Sequence, residues 1–93
     1  MKIKYLFEKM ELDDEIVAVP VGDGASELHA VLNVNEEAMR IIELLQKETS
    51  ETQIISQLLL EYDCTKEEIS PLVHSFIEQL RQNGFLEEPR VLG

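Results

Sequence analysis

The segment AVLNVNEEAMRIIELL, residues 30–45, followed by TSETQIISQLLLEYD, residues 49–63, decides how this chain folds. Asn33 with Glu36 three positions on is an N-cap with its capping-box partner, so a first helix is expected from there to about Lys47. Its apolar stripe is Ala38, Ile41, Ile42 and Leu45, with Leu44 extending it. Ser50 with Gln53 repeats the device for a second helix, whose Ile54, Ile55, Leu58, Leu59 and Tyr62 recur at helical spacing. The short link between the two implies a sharp corner of the helix-turn-helix kind. Thr65 with Glu68 then opens a third helix carrying Ile69, Leu72, Val73, Phe76, Ile77 and Leu80. Pro71 either sits inside this helix and bends its first turns, or follows a cap at Ser70 in the favourable first position. Asn83-Gly84 is a stop signal, after which Phe85-Leu86 folds back as an apolar plug.

Ahead of the helices the pattern changes period. Residues 2–11 carry Ile3, Tyr5 and Phe7 at period two, with Leu6 and Met10 blurring the alternation, as a bulge would. Asp13-Asp14 marks a turn, and Val17, Val19 and Val21 share one face of a second strand, with Pro20 placed near its end. Gly22-Asp23-Gly24 supplies a reversal, and residues 27–32 read as a third strand with Leu28, Ala30 and Leu32 on one face and His29 and Val31 on the other. The expected fold is α+β and winged-helix-like: an N-terminal three-stranded antiparallel β-meander followed by three α-helices. One domain spans residues 1–88, with a loose C-terminal tail at 89–93.

Composition narrows the function. The chain has 93 residues and a net charge of −11, from 19 Asp and Glu against 8 Lys and Arg. Nucleic-acid binding draws its affinity from basic groups on phosphates, so this balance opposes it. The third helix sets Lys66 and Arg81 against Glu67, Glu68 and Glu78, which is no basic probe for a major groove. A DNA-binding winged helix also sets its hairpin after the third helix, where only residues 84–93 remain. No apolar run approaches the roughly 20 residues of a membrane span, no signal-peptide core is visible, and a cytoplasmic location is expected. The lone Cys64 with His29 and His74 gives no ligand set spaced for a metal. Asp13-Asp14-Glu15 and Glu67-Glu68 serve turn and cap roles, and Gly22-x-Gly24 lacks the rest of a dinucleotide loop. No catalytic residue, metal or cofactor is expected. The chemistry left is that of the backbone, since a short meander has open edges that an extended peptide can satisfy by strand addition.

The order and spacing of these landmarks resemble the coenzyme PQQ synthesis protein D family. That family reads as a strand ending in Leu-Asn, a helix with an Ile-Trp-x-Leu-Leu run, a Thr-initiated helix ending in Tyr-Asp, and a last helix closing in Leu-x-x-x-Gly-Leu. Here these fall at Leu32-Asn33, Ile41 to Leu45, Thr49 to Asp63, and Leu80 to Leu86. Two departures stand out: Ile42 replaces the Trp of many relatives, and Lys47-Glu48 replaces a glycine often found between the first two helices.

The resemblance implies a recognition element that captures the leader of a ribosomally made precursor peptide and presents it to a peptide-modifying enzyme, with a radical S-adenosylmethionine enzyme the expected second partner. It places the leader along the third strand, in the cleft beside the third helix. The peptide-binding residues it points to are Glu27, Leu28, His29, Ala30, Val31 and Leu32 on the strand, and Ile69, Leu72, Val73, Phe76 and Ile77 on the helix. The apolar arc of that helix is wider than one core contact requires, so one margin is free for a ligand. Leu72 and Phe76 are favoured for it, with His74 at the rim. The alternatives are an acidic winged-helix protein–protein adaptor and a transcription regulator.

Overall fold

The structure is a computed structural model that describes residues 1–22 and 31–87. Strands β1 (Lys2–Ile3), β2 (Leu6–Leu12), β3 (Glu15–Val21) and β4 (Leu32–Val34) precede helices α1 (Glu36–Leu44), α2 (Glu51–Glu61) and α3 (Lys66–Gln82), and β5 (Leu86–Glu87) closes the described chain. The expected α+β architecture is present: an antiparallel sheet in the order β2-β3-β4, then three helices. A second, two-stranded sheet pairs β1 with β5, Ile3 opposite Leu86.

The first strand is therefore broken in two. Ile3 and Lys4 turn away from the meander, where Ile3 N–H donates to Leu45 O at 2.9 Å and Lys4 N–H to Phe85 O at 2.7 Å. From Leu6 the chain pairs with β3 without a bulge, from Leu6 opposite Val21 to Leu12 opposite Glu15. Asp13 takes φ 54 in the connecting turn, a left-handed conformation that Asp tolerates better than most side chains. Pro20 lies beyond the segment of β3 that β4 covers, Ile16 to Ala18, so its missing N–H takes nothing from that ladder.

The start of the first helix needs a correction. Asn33 is not its cap: it lies inside β4, opposite Val17, and Asn35 caps the helix by accepting from Ala38 N–H at 2.8 Å. Strand pairing takes residues 32–34 two positions further than expected, and α1 ends at Leu44 rather than near Lys47. The other caps stand as read. Ser50 accepts from Gln53 N–H at 3.2 Å, and Thr65 and Glu68 form a reciprocal capping box. That fixes the start of α3 at Lys66, with Pro71 inside the helix and Ser70 no cap. At its far end Gly84 adopts φ 74, and the bonds Phe85 N–H to Leu80 O and Gly84 N–H to Arg81 O make a Schellman stop. Phe85 and Leu86 then fold back into the core at 8% exposure each.

The inner sheet face, with Phe7 and Ala18, packs on the helices through Met39, Ile41, Ile42 and Leu45, which also meet Leu58, Val73 and Ile77. Phe85 sits edge-on to Tyr5 at 6.0 Å and tilted against Phe7 at 6.2 Å, joining the end of the chain to the start of β2. Across the helical layer, Arg40 grips Glu61 with two bonds of 2.7 Å, and Gln57 donates to the same carboxylate at 2.7 Å. The Arg40 and Gln57 bonds hold the Glu61 carboxyl down at about 2.

Two outcomes follow from this packing. Ile42 is fully enclosed, so Ile42→Ala is expected to cost about 2–5 kcal/mol, and Ile42→Trp to overpack at a cost of about 1–3 kcal/mol, both read from urea midpoints. Because the folded pKa of Glu61 is depressed, its clamp contributes fully above its ordinary value of 4.5 and is lost as pH falls towards 2. Glu61→Gln should flatten the acid dependence of stability in that window, by roughly 1 kcal/mol for a pair this close to solvent.

Candidate functional site

β4 is the end strand of the sheet, paired to β3 on one side and with no strand on its other side among the described residues. Its unpaired N–H and C=O groups are a template for a further strand. At its C-terminal end the chain passes through Asn35 into α1, and two shallow depressions meet at that residue. One, of about 520 Å³, is bounded by the start of β3 and the end of β4: Asp14, Glu15, Ile16, Asn33, Val34, Asn35 and Glu36. The other, of about 270 Å³, lies between the first two turns of α1 and the middle of α3, where Ala38 and Ile41 face Ile69, Leu72 and Phe76.

α3 supplies the apolar wall of the second groove because its apolar arc is split between two duties. Ile69, Val73, Ile77 and Leu80 are buried in the core, at 4%, 0%, 0% and 2% exposure, while Leu72 is 61% exposed and Phe76 is half-buried. Leu72 and Phe76 are four residues apart and stand on one margin of the helix. Of the helix residues expected at the site, Ile69, Leu72 and Phe76 line the groove, whereas Val73 and Ile77 are enclosed and fix where the helix lies. On the strand side, Val31 is 60% exposed and Leu32 is half-buried against the core, and Glu27, Leu28, His29 and Ala30 lie outside the described residues.

His74 does not stand at the rim of this groove. Its Nδ1 lies 3.1 Å from Glu51 Oε1, which ties α3 to α2 instead. The residues that the sequence reading missed are Asn35, Ala38 and Ile41, the α1 side of the groove, which one strand and one helix alone did not suggest. Acidic groups surround the joint: Glu36 and Glu37 stand in the first turn of α1, and among the described residues no Lys, Arg or His lines either depression. Burial raises the pKa of the neighbouring Tyr62, and the negative charges of Glu37, Glu36 and Glu61 raise it further.

Among the described residues no polar or charged side chain is buried, and no group of three His, Cys, Asp or Glu is placed to hold a metal ion. The site offers an apolar wall, a backbone edge and a negative potential, which suit an extended peptide better than a reacting small molecule.

The family model for coenzyme PQQ synthesis protein D (PqqD) matches residues 15–86, and the chain belongs to that family. The match takes in the meander from β3 onward, all three helices and the start of β5. Among solved structures, "TbiB1 in Complex with the TbiA(beta) Leader Peptide" superposes with a TM-score of 0.66 at 21% identity, over 98% of this chain and 100% of that one, and shows the same fold. No curated protein matches the sequence.

The two faces of α3 give a direct test of this geometry. Leu72→Asp should leave stability within about 0.5 kcal/mol, because its side chain already stands in water. Val73→Asp, one residue on, should abolish the cooperative thermal transition by placing an unpaired charge in the core.

Proposed function

We propose that this protein is a non-catalytic recognition module that binds the leader of a ribosomally synthesised precursor peptide and presents it to a separate modifying enzyme. The observation that carries the reading is the coincidence of an open strand edge, β4, with a groove whose apolar wall, Leu72 and Phe76, is left uncovered by the core. Family membership supports it, as does a fold shared with a protein whose structure contains a bound leader peptide. The leader adds as a strand beside β4, with Val31 and Leu32 on the platform and Glu27, Leu28, His29 and Ala30 as its further contacts. Ile69, Leu72 and Phe76 receive its apolar side chains, and Val73 and Ile77 hold the helix in place. The receiving enzyme is of the radical S-adenosylmethionine class, and the handover takes place in the cytoplasm.

Magnitudes explain why both halves of the site are needed. Four added backbone bonds at about 0.5–1.5 kcal/mol each supply only a few kcal/mol, much of which association entropy removes. Burying one leucine-sized side chain of the leader adds about 1.5–3 kcal/mol, so the groove decides affinity and selects the sequence. The protein also uses α3 differently from a DNA-binding helix. Its Arg81 is paired with Glu78, and Glu67 and Glu68 occupy its first turn.

The test is a titration of isotopically labelled protein with the leader of a precursor encoded beside its gene. Amide shifts should concentrate on residues 31–35 and on Ile69, Leu72 and Phe76, and Leu72→Asp should weaken binding at least tenfold, about 1.4 kcal/mol or more. Leu60→Asp, at an 82% exposed position on α2, should leave affinity unchanged. Shifts confined to α2, with β4 and α3 silent, would reject this site. Sub-micromolar binding to one duplex DNA sequence at physiological salt would reinstate a transcription regulator.

A further inference from the structure

Leu6, Met10 and Leu12 are 58%, 48% and 53% exposed, and all three belong to β2. Even-numbered positions of one strand share a face, so these side chains stand side by side on the same surface. Strand register sets Leu6 opposite Val21, Glu8 opposite Val19 and Met10 opposite Val17, and because Val17 is buried at 6% exposure the open apolar surface is that of β2. The alternate set, with Phe7, Ala18 and Leu32, packs on the helices, so the first set forms the outer face. An antiparallel sheet with one solvated side normally alternates apolar-in with polar-out. Here the rule fails on β2, where Glu8 is the one polar residue among four outward positions. A contiguous apolar surface of this kind marks an interaction site.

We propose that the outer face of β2 docks the enzyme to which the leader is handed, through a patch on that enzyme that is apolar at its centre and fringed by lysine or arginine. The identity of this occupant rests on the peptide-recognition reading above; the existence of the exposed face does not. Charge selects the partner's chemistry. Among the paired outward residues the charged ones are Glu8 and Glu15, the adjoining turn adds Asp13 and Asp14, and Lys9 is spent on Glu11 on the opposite side. A second copy would set carboxylates against carboxylates, and an anionic membrane surface would be repelled for the same reason.

Area points the same way. The seven residues of β2 present an outer strip about 24 Å long and about 5 Å wide, on the order of 100 Å². A stable interface needs about 800 Å² from each partner, so this face alone does not sustain a homodimer. It suits a weak contact supplemented by a second one. The sheet itself supplies that second contact: a strand added beyond β4 becomes the fourth in the order β2-β3-β4, and its alternate side chains stand beside Asn33 on this same outer face. An enzyme seated there meets the domain and its cargo together, and two linked weak contacts bind far more tightly than either alone.

The experiment titrates labelled protein with a short synthetic amphipathic helix of leucine and lysine, and with its leucine–glutamate counterpart. The lysine peptide is expected to shift amides of residues 6–12 and 15–21, and the glutamate peptide to shift none. Met10→Ser with Leu12→Ser keeps the charge unchanged and should weaken binding at least tenfold, and Glu8→Lys should do likewise. All three positions are open, and an unchanged thermal midpoint confirms the fold. Shifts scattered over the acidic surface, no binding, or binding that survives the serine pair would overturn the proposal. So would a concentration-dependent dimer in sedimentation that the serine pair dissolves, since the occupant would then be a second copy. Leader affinity measured on the same variants separates the two readings. It should stay within twofold, and loss of all leader binding by the parent protein would instead sink the recognition role while leaving the docking face standing.

Discussion

α1 is the joint on which both layers hang. At nine residues it is too short to hold helical structure in water by itself, and it persists because nearly its whole apolar stripe is taken up by neighbours. Ile41, Ile42 and Leu45 are 2%, 0% and 0% exposed, and the cluster they belong to takes in Phe7 and Ala18 of the sheet as well as Leu58, Val73 and Ile77 of the other helices. The distance between α1 and α3, and hence the groove between them, is therefore set by the same packing that joins α1 to the sheet. Asn35 shows the coupling at one residue: it ends the strand, caps the helix and lies in both depressions.

The start of the chain secures the same arrangement from the far side. Met1 accepts from Thr49 N–H at 2.9 Å and its ammonium meets Glu48, Ile3 bonds Leu45, and Lys4 bonds Phe85. Three residues thus stitch the α1–α2 link to the segment that follows α3. With Phe85 wedged against Tyr5 and Phe7, the C-terminal half of α3 is anchored, while its N-terminal half carries Leu72 towards solvent. A binding wall needs such an arrangement: exposed apolar side chains on a helix whose position other residues have already determined.

What could be read from the sequence was whatever local chemistry decides. Ser50 and Thr65 announce their helices because a cap bonds a backbone N–H three residues away, and Gly84 announces a stop because few other residues accept its φ. Asn33 misled because its rival Asn35 is two residues on, and the choice between them falls to a contact no local pattern records, the pairing of residues 32–34 with residues 16–18. The β1–β5 ribbon was invisible for the same reason, since its two-residue strands come from opposite ends of the chain. Leu72 and Phe76 could be picked out because the apolar arc of α3 was too wide for one contact. Asn35, Ala38 and Ile41 could not, because the groove's second wall comes from the contact between α1 and α3. Leu6 and Met10 did break the alternation of β2, but they mark an apolar outer face and no bulge.

The acidic charge and the exposed apolar side chains make sense together. A domain this small that shows water Leu6, Met10, Leu12, Val31, Leu60 and Leu72 is at risk of associating through them, above all along the open edges of its sheet. A net charge of −11 opposes that association by repulsion between copies, and it acts over about a Debye length, roughly 8 Å at physiological salt, before any apolar contact forms. Repulsion of this kind discriminates by sign. It keeps like copies apart while leaving the same exposed side chains open to groups that bring positive charge with their apolar surface.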